Sequence, residues 1–175
     1  MTVPQLEVDR AICETLVQWG IAYTRFDHPP VFTCAEADLH VPSAADALQT
    51  KNLFLRDKKG TRHWLVITSC EKRVDIRALG EQLGVGRLSF GSPERLMKYL
   101  GVTPGAVTLL ALAHRGARDV ELVIDEAARG VPWRCHPMVN TATLVLDPAA
   151  YAAFLSRTGH QPSYQAIPEL DASGN

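Results

Sequence analysis

The feature that most constrains the fold of this 175-residue chain is the order in which helix-like and strand-like segments follow one another. Apolar residues recur at helical spacing near both ends of the chain, after Glu7 and after Pro148. Between them, strand-like runs mix with further helices, without the strict alternation of an all-parallel sheet. The sequence therefore predicts a single α+β domain in which a mixed, curved sheet is flanked by helices.

Capping residues and glycines mark the ends of the predicted helices. Gly20, Gly84 and Gly101 each follow a helical apolar pattern and are suited to end it. Thr33 and Ser92 are suited to cap helix starts. The predicted helices cover residues 7–19, 33–40, 76–83, 92–100 and 148–157.

Strands are predicted where β-branched and other apolar residues form short runs between turn signals. Residues 57–60 form the turn of a hairpin, with Lys51 and Asn52 just before its first strand. We expect the domain to span residues 1–160 and residues 161–175 to form a polar, partly frayed tail. The predicted strands cover residues 21–26, 53–56, 63–68, 107–112, 120–124 and 141–146.

Composition excludes several classes of protein. Apolar residues make up 46% and charged residues 21% of the chain, which is typical of a globular domain and excludes disordered and collagen-like proteins. No apolar run reaches the roughly 18–20 residues that cross a bilayer, and the N-terminus lacks the basic-then-apolar order of a signal peptide. We therefore expect no membrane partner and a cytoplasmic location.

The four cysteines, Cys13, Cys34, Cys70 and Cys135, are placed singly, which argues against a disulfide framework and a thiolate zinc site. We expect them to be reduced. His136 follows Cys135, but neighbours on an extended chain point to opposite faces, which disfavours a metal site or a cysteine nucleophile. Standard nucleotide-binding, serine-hydrolase and zinc-protease motifs are missing. The sequence predicts no cofactor and no metal.

Basic residues concentrate in one part of the chain. Residues 51–98 hold eleven of the 18 Lys and Arg and five acids, so the span carries +6 within a chain of net charge −1. A cluster of cations favours binding of a polyanion to one side of the protein. Binding releases counterions from the polyanion, and this gain does not depend on the protein's total charge. An ordinary solvated surface is the alternative. DNA is disfavoured as a partner because no helix-turn-helix, zinc finger or basic heptad helix is present.

Three polar or glycine-bearing segments beside apolar strands match no standard motif. They are K-N-L-F-L-R-D-K-K-G at 51–60, G-V-T-P-G at 101–105 and H-P-M-V-N-T-A-T at 136–143. Singly, each has an ordinary explanation as a strand-end charge, a helix end or a hydrogen-bonded loop histidine. Together, in this order and separation, they resemble the YbaK/ProX family of aminoacyl-tRNA deacylases, which is related to the editing domain inserted in bacterial prolyl-tRNA synthetases. The resemblance runs from about Leu6 to Leu155.

The resemblance implies hydrolysis of the ester that joins a wrong amino acid to the terminal adenosine of proline tRNA. Within the family, residues 51–59 are most similar to the branch that acts on alanyl-tRNA(Pro). The implied partners are the acceptor stem and aminoacylated 3′ end of tRNA(Pro), and prolyl-tRNA synthetase is a further expected partner. Two alternatives stay open: a deacylase of cysteinyl-tRNA(Pro) or of seryl- or threonyl-tRNA, and a non-catalytic module that binds tRNA or a synthetase.

The resemblance also implies the site residues. Lys51 holds the terminal phosphate or ribose or stabilises charge, and Asn52 orients a substrate or water hydrogen bond. Backbone N–H groups around Gly101 and Gly105 cradle the carbonyl oxygen, and His136 anchors the aminoacyl group or its water. No general base is assigned, because a hydroxyl of the tRNA can assist the water. Further implied substrate-binding residues are Arg56 and Arg87, for the acceptor stem, and Thr103, Pro104, Met138 and Asn140.

Overall fold

Eight strands form one sheet in the computed structural model, which describes residues 3–31, 33–41 and 46–170. Their order is β1-β7-β6-β2-β3-β5-β8, and β4 pairs with β2. Parallel pairs (β2 with β6, β3 with β5, β5 with β8) combine with antiparallel ones, which confirms the predicted mixed sheet. The strands are β1 Thr24–Asp27, β2 Leu48–Asp57, β3 His63–Ser69, β4 Leu88–Phe90, β5 Val120–Asp125, β6 Trp133–Cys135, β7 Ala142–Leu146 and β8 Pro162–Gln165.

Apolar cores lie on both faces of the sheet, because alternate residues of its central strands point to opposite sides. Phe54 and Leu65 belong to the larger core, with α1 and α5, whereas Leu55 and Val66 belong to the smaller core, with α3. The five predicted helices are confirmed with shifted ends, and α4 continues as the π-helical turn Leu96–Leu100. The helices are α1 Val3–Gln18, α2 Cys34–Asp38, α3 Ile76–Gln82, α4 Pro93–Arg95 and α5 Pro148–Thr158.

The strand β2 has a complete neighbour on one edge and an interrupted one on the other. It pairs with β3 from Thr50 to Arg56. On its other edge, β6 pairs only at Leu48 and Gln49, and β4 pairs only from Leu55 onward. Among the described residues, the middle of β2 therefore has no strand on that side. Lys51 and Asn52 lie inside β2 and not before it as predicted.

The predicted strand at 107–112 is wrong, because Leu109–Ala113 form a 3₁₀ helix. Thr108 begins this helix by accepting a hydrogen bond from the Leu110 N–H, and it donates to the His136 carbonyl. Residues 109–112 are fully enclosed by the larger core. A short apolar run that is buried all round has no periodicity that separates helix from strand, which explains the error.

The predicted frayed tail is also wrong over most of the residues that are described. β8 adds to the sheet in parallel with β5, and the Leu170 N–H donates to the Arg73 carbonyl. Ile167 is buried in the smaller core and Tyr164 packs against the larger one, so both cores hold the segment in place. Residues 171–175 lie outside the described part of the chain. The strands β4 and β6, three residues each, were missed because they are too short for a pattern.

One expectation about the cysteines is corrected as well. Cys70, the residue after β3, is disulfide-bonded, whereas Cys13 and Cys135 carry free thiols. Single placement along the sequence excludes a C-x-x-C motif but does not exclude a pair that the fold brings together. None of the helices in the described ranges combines the length and the apolar character of a membrane-spanning segment.

Candidate active site

A cavity of about 210 Å³ opens where β2 lacks a neighbouring strand. This volume is below the roughly 300–1,000 Å³ of pockets that hold drug-sized ligands, so the cavity suits a small group. Its floor consists of β2 and β6, and its other walls are formed by the segment around α2, the loop before Thr108 and one residue of β7. The lining residues are Val31, Thr33, Ala37, Val41, Gln49, Thr50, Lys51, Asn52, Gly105, Val107, Arg134, Cys135, His136 and Thr143.

The ammonium group of Lys51 is held by main-chain carbonyls. Its Nζ donates to the Cys70 carbonyl at 3.2 Å and to the Lys72 carbonyl. Burial lowers the pKa of this ammonium, and the charge of Glu169 opposes that shift only in part. An ammonium has three protons, and two of them are used here. These two bonds therefore leave over one proton of the ammonium.

Asn52 and His136 each line the cavity with an unpaired polar atom. Among the described residues, Asn52 Oδ1 and His136 Nδ1 are buried and have no hydrogen-bond partner. Burial lowers the pKa of His136, and nearby His28 lowers it further, against a hydrogen bond to the Ala142 backbone. The lowered pKa favours the neutral imidazole at pH 7. Buried polar atoms without partners are uncommon in folded proteins, and these two are suited to a ligand or a water.

The glycine-bearing loop, residues 101–105, contributes one glycine to the cavity and another to the end of a helix. Gly105 lines the cavity, with a left-handed φ of 89° and open space where a Cβ would lie. Gly101 ends the π-helical turn with φ 66°, and a Cβ there would lie 2.8 Å from the His114 ring. Gly101 thus packs against His114 and is not among the residues that line the cavity. Thr103 and Pro104 are exposed and lie outside the lining as well.

Met138 and Asn140 follow His136 without lining the cavity themselves. Met138 has a left-handed φ of 62°, an uncommon conformation for a non-glycine residue and one that clusters at active and ligand-binding sites. Asn140 pins the chain next to the cavity: its Nδ2 donates to the Val31 carbonyl at 3.2 Å and its carbonyl accepts from the Val31 N–H at 3.0 Å. Both residues therefore shape the site from behind its wall.

Arg56 and Arg87 lie away from the cavity, toward the hairpin. Arg56 is five residues after Lys51 on β2, about 17 Å along an extended strand. Its guanidinium donates to the carbonyls of Asp57 and Lys58, and Arg87 is exposed just before β4. The structure thus brings together Lys51, Asn52, Gly105 and His136, and leaves the two arginines for a more distant contact.

Arg134 is a cavity residue that the sequence analysis missed. Its Nη1 lies 2.9 Å from Asp38 Oδ1 of α2, and only 11% of its side chain is exposed. The residue belongs to β6, whose alternation of Trp133, Arg134 and Cys135 is too short to be recognised as a strand. Ala37 and Val41 were missed for a similar reason, because they are ordinary small apolar residues until α2 turns them toward the cavity.

The chemistry available in the cavity is that of a hydrogen-bonding, partly cationic site. Cys135 is fully buried and its thiol pKa is raised to about 12 by burial, so a thiolate nucleophile is not formed at neutral pH. Among the described residues, no three His, Cys, Asp or Glu side chains are grouped to hold a metal. The remaining polar groups include two cations, Lys51 and Arg134, the Asn52 amide and the His136 imidazole, and groups of this kind can bind an ester and orient a water.

Comparison with known proteins places the chain in a family. The aminoacyl-tRNA editing domain matches residues 28–154. The prolyl-tRNA editing protein ProX of Acetoanaerobium sticklandii is 36% identical over 81% of this chain and 87% of its own. The prolyl-tRNA synthetase associated domain-containing protein 1 of Xenopus laevis is 39% identical over 78% of this chain and 83% of its own.

Solved structures share the fold at low sequence identity. A crystal structure described as a candidate trans-editing enzyme for prolyl-tRNA synthetase superposes with a TM-score of 0.69, at 19% identity, over 97% of this chain and all of the other. The family match covers most of the chain and includes every cavity residue. The protein therefore belongs to the aminoacyl-tRNA editing domain family and is an aminoacyl-tRNA hydrolase.

Proposed function

We propose that the protein hydrolyses alanyl-tRNA(Pro) and so removes alanine that has been attached to proline tRNA by mistake. The observation that carries this proposal is the small cavity, which brings Lys51, Asn52 and His136 together with the apolar side chains of Val31, Ala37, Val41 and Val107. Relatives named as prolyl-tRNA editing proteins support tRNA(Pro) as the carrier of the amino acid. We further propose that the protein acts in the cytoplasm and meets prolyl-tRNA synthetase there.

The reaction needs a water, a site for the developing oxyanion and a proton for the leaving oxygen. Water adds to the ester carbon, the bond to the ribose oxygen then breaks, and a proton reaches that oxygen, which leaves free alanine and tRNA. Neutral His136 offers Nδ1 as an acceptor for the attacking water. The Gly105 N–H and the remaining Lys51 proton are suited to the oxyanion or to the neighbouring ribose and phosphate.

Selection against proline is expected to come from size. Val31, Ala37, Val41 and Val107 form the apolar part of the lining, on the side that faces the polar floor. The proline ring has two more carbon atoms than the alanine methyl group, and we expect these atoms to press against the apolar side chains. Displacing packed groups costs about 1–3 kcal/mol, which is the scale on which a tight pocket rejects a larger substrate.

The basic span supplies the contact with the rest of the tRNA. Arg56 and Arg87 lie on the side of β2 and β4 that leads from the cavity to the hairpin. Two arginines at this distance from the ester are suited to bind phosphates of the acceptor stem. Such contacts position the tRNA without recognising its bases. The proposal therefore assigns the ester to the cavity and the stem to the hairpin end.

The test is deacylation of tRNA(Pro) charged separately with alanine, cysteine, serine and proline, by wild type and by Lys51→Ala. We expect rapid release of alanine, little release of proline, and loss of the activity in the variant with an unchanged unfolding temperature. Release of cysteine or serine in place of alanine would assign the cavity to another substrate. No release from any of the four would favour a module that only binds tRNA or a synthetase.

A further inference from the structure

Three residues of one chain segment form a wall of the cavity. Thr33, Ala37 and Val41 are spaced four apart, and this spacing places them on one face of α2 and the turn after it. The Ala37 and Val41 side chains are buried, and the Val41 N–H donates to the Ala37 carbonyl at 3.2 Å. We call residues 33–41 the cover segment, because they enclose the cavity opposite its polar floor.

An ion pair joins the cover segment to that floor. Asp38 follows Ala37, and its Oδ1 lies 2.9 Å from Nη1 of Arg134 on β6. Arg134 lines the cavity and is 11% exposed, whereas the Asp38 side chain is 55% exposed and lies outside the lining. The pair therefore spans the cavity at its rim and fixes the distance between two of its walls. On the N-terminal side of the cover segment, Asn140 holds Val31 by two hydrogen bonds.

We infer that the Arg134–Asp38 ion pair is a specificity determinant, which holds the cover segment close enough to admit alanine and exclude proline. This inference rests on the proposed function. A cavity excludes a larger group only as strongly as its walls resist displacement. Proline would move Ala37 and Val41 outward, and that movement stretches the ion pair. Alanine does not move the walls, so weakening the Arg134–Asp38 ion pair does not accelerate its release.

A different role for Arg134 makes the opposite prediction. An arginine beside the site of an ester could bind a phosphate of the tRNA, and Asp38 would then compete for it. Under that role, removing the charge of Asp38 strengthens tRNA binding and accelerates release of every amino acid alike. Under the inferred role, it changes the ratio between proline and alanine.

The experiment compares kcat/KM on alanyl-tRNA(Pro) and prolyl-tRNA(Pro) for wild type, Asp38→Asn, Arg134→Gln and the double variant. In Asp38→Asn, we expect proline release to rise about two- to fivefold, the scale of a half-exposed ion pair, while alanine release stays within about twofold. Arg134→Gln should lower the discrimination by a similar factor, and the double variant should lower it no further, since both changes remove the same pair.

Glu126→Gln is the matched control, because it breaks another 2.9 Å pair, with Arg129, away from the cavity. It should change neither rate. Amide hydrogen exchange at Val41 gives a readout without substrate and should be faster in Asp38→Asn than in wild type.

An active wild type with an unchanged ratio in Asp38→Asn, or equal acceleration on both substrates, would overturn the inference and leave the proposed function standing. A wild type that releases no amino acid would overturn both.

Discussion

The two ends of β2 differ in how their polar groups are satisfied. At the hairpin end, Asp57 Oδ1 accepts from the N–H groups of Thr61 and Arg62 at 2.8 and 3.1 Å, so the turn closes its own hydrogen bonds. At the cavity end, Asn52 Oδ1 has no partner, and Lys51 has carbonyl partners but no carboxylate within ion-pair distance among the described residues. Polar groups are left for a ligand at the end where β2 lacks a neighbouring strand.

The largest expected effect on stability lies beneath the cavity end. Asp125 is 1% exposed, and its Oδ2 lies 2.7 Å from Lys72 Nζ and accepts from Thr68 at 2.6 Å. Asp125→Ala removes the carboxylate partner of the largely buried Lys72 ammonium, which keeps only its hydrogen bond to the Ile167 carbonyl, and such a loss costs about 3–5 kcal/mol. Asp57→Ala at the hairpin end removes exposed hydrogen bonds and should cost roughly 1 kcal/mol. Urea unfolding of both variants measures the difference, and equal losses would contradict the contrast between the two ends.

The stability that the Asp125 carboxylate contributes depends on pH. Burial opposes ionisation of Asp125, but hydrogen bonds from Lys72 and Thr68 outweigh it and lower the pKa. A depressed pKa contributes stability that is present above the unfolded value of about 3.9 and is lost as the pH falls through the folded value. Wild type should therefore lose more stability than Asp125→Ala between pH 5 and the acid transition.

The next effect is on catalysis and contrasts two cations of one strand. Lys51→Met should lower kcat/KM on the aminoacyl-tRNA by roughly 10²–10³-fold, the loss seen when a transition-state donor is removed. Arg56→Met, five residues further, should lower it only a few-fold through KM. Single-turnover rates at saturating enzyme distinguish an effect on binding from an effect on the chemical step. The Arg56 variant should reach the wild-type rate under these conditions, and the Lys51 variant should not. A Lys51 variant that recovered too would move this lysine from the chemical step to binding.

The sequence predicted the hairpin end of β2 better than the cavity end, for a physical reason. A turn such as 57–60 is specified by its own residues, so the pattern around it is enough to predict both strands. The cavity end depends on contacts between distant segments, such as that of Arg134 on β6 with Asp38 on α2, which are 96 residues apart. Arg134 carries no local signal, and Asn140 was assigned to the substrate although its contact is with Val31.

The resemblance to the family supplied what local patterns could not. Lys51, Asn52, Gly105 and His136 were singled out by the resemblance, and the structure gathers them in one cavity. Gly101 was included because it belongs to the same motif, but its position is set by packing against His114. The disulfide of Cys70 had no pattern to predict it, since pairing of distant cysteines is decided by the fold.

A smaller effect is expected from protonation of His136. Burial and nearby His28 lower its pKa, so the neutral ring is favoured in the fold. Activity that uses Nδ1 as an acceptor should fall as the pH drops through the folded pKa, below the ordinary value of about 6.5. This change also removes stability, because the unfolded chain binds the proton more readily. In His136→Gln the acid limb of the kcat/KM profile should vanish, and an unchanged limb would assign the titration to another group.

The smallest effect concerns the hairpin end and its contact with RNA. Arg56→Ala and Arg87→Ala should each weaken tRNA binding a few-fold and reduce the slope of log Kd against log salt by roughly 0.7–0.9, as expected for one phosphate contact each. Arg10→Ala is the control, because Arg10 is an exposed α1 cation paired with Glu14 and outside the basic span. An unchanged slope in both variants would mean that the stem follows another surface, and the division between a chemical end and a binding end of β2 would then fail.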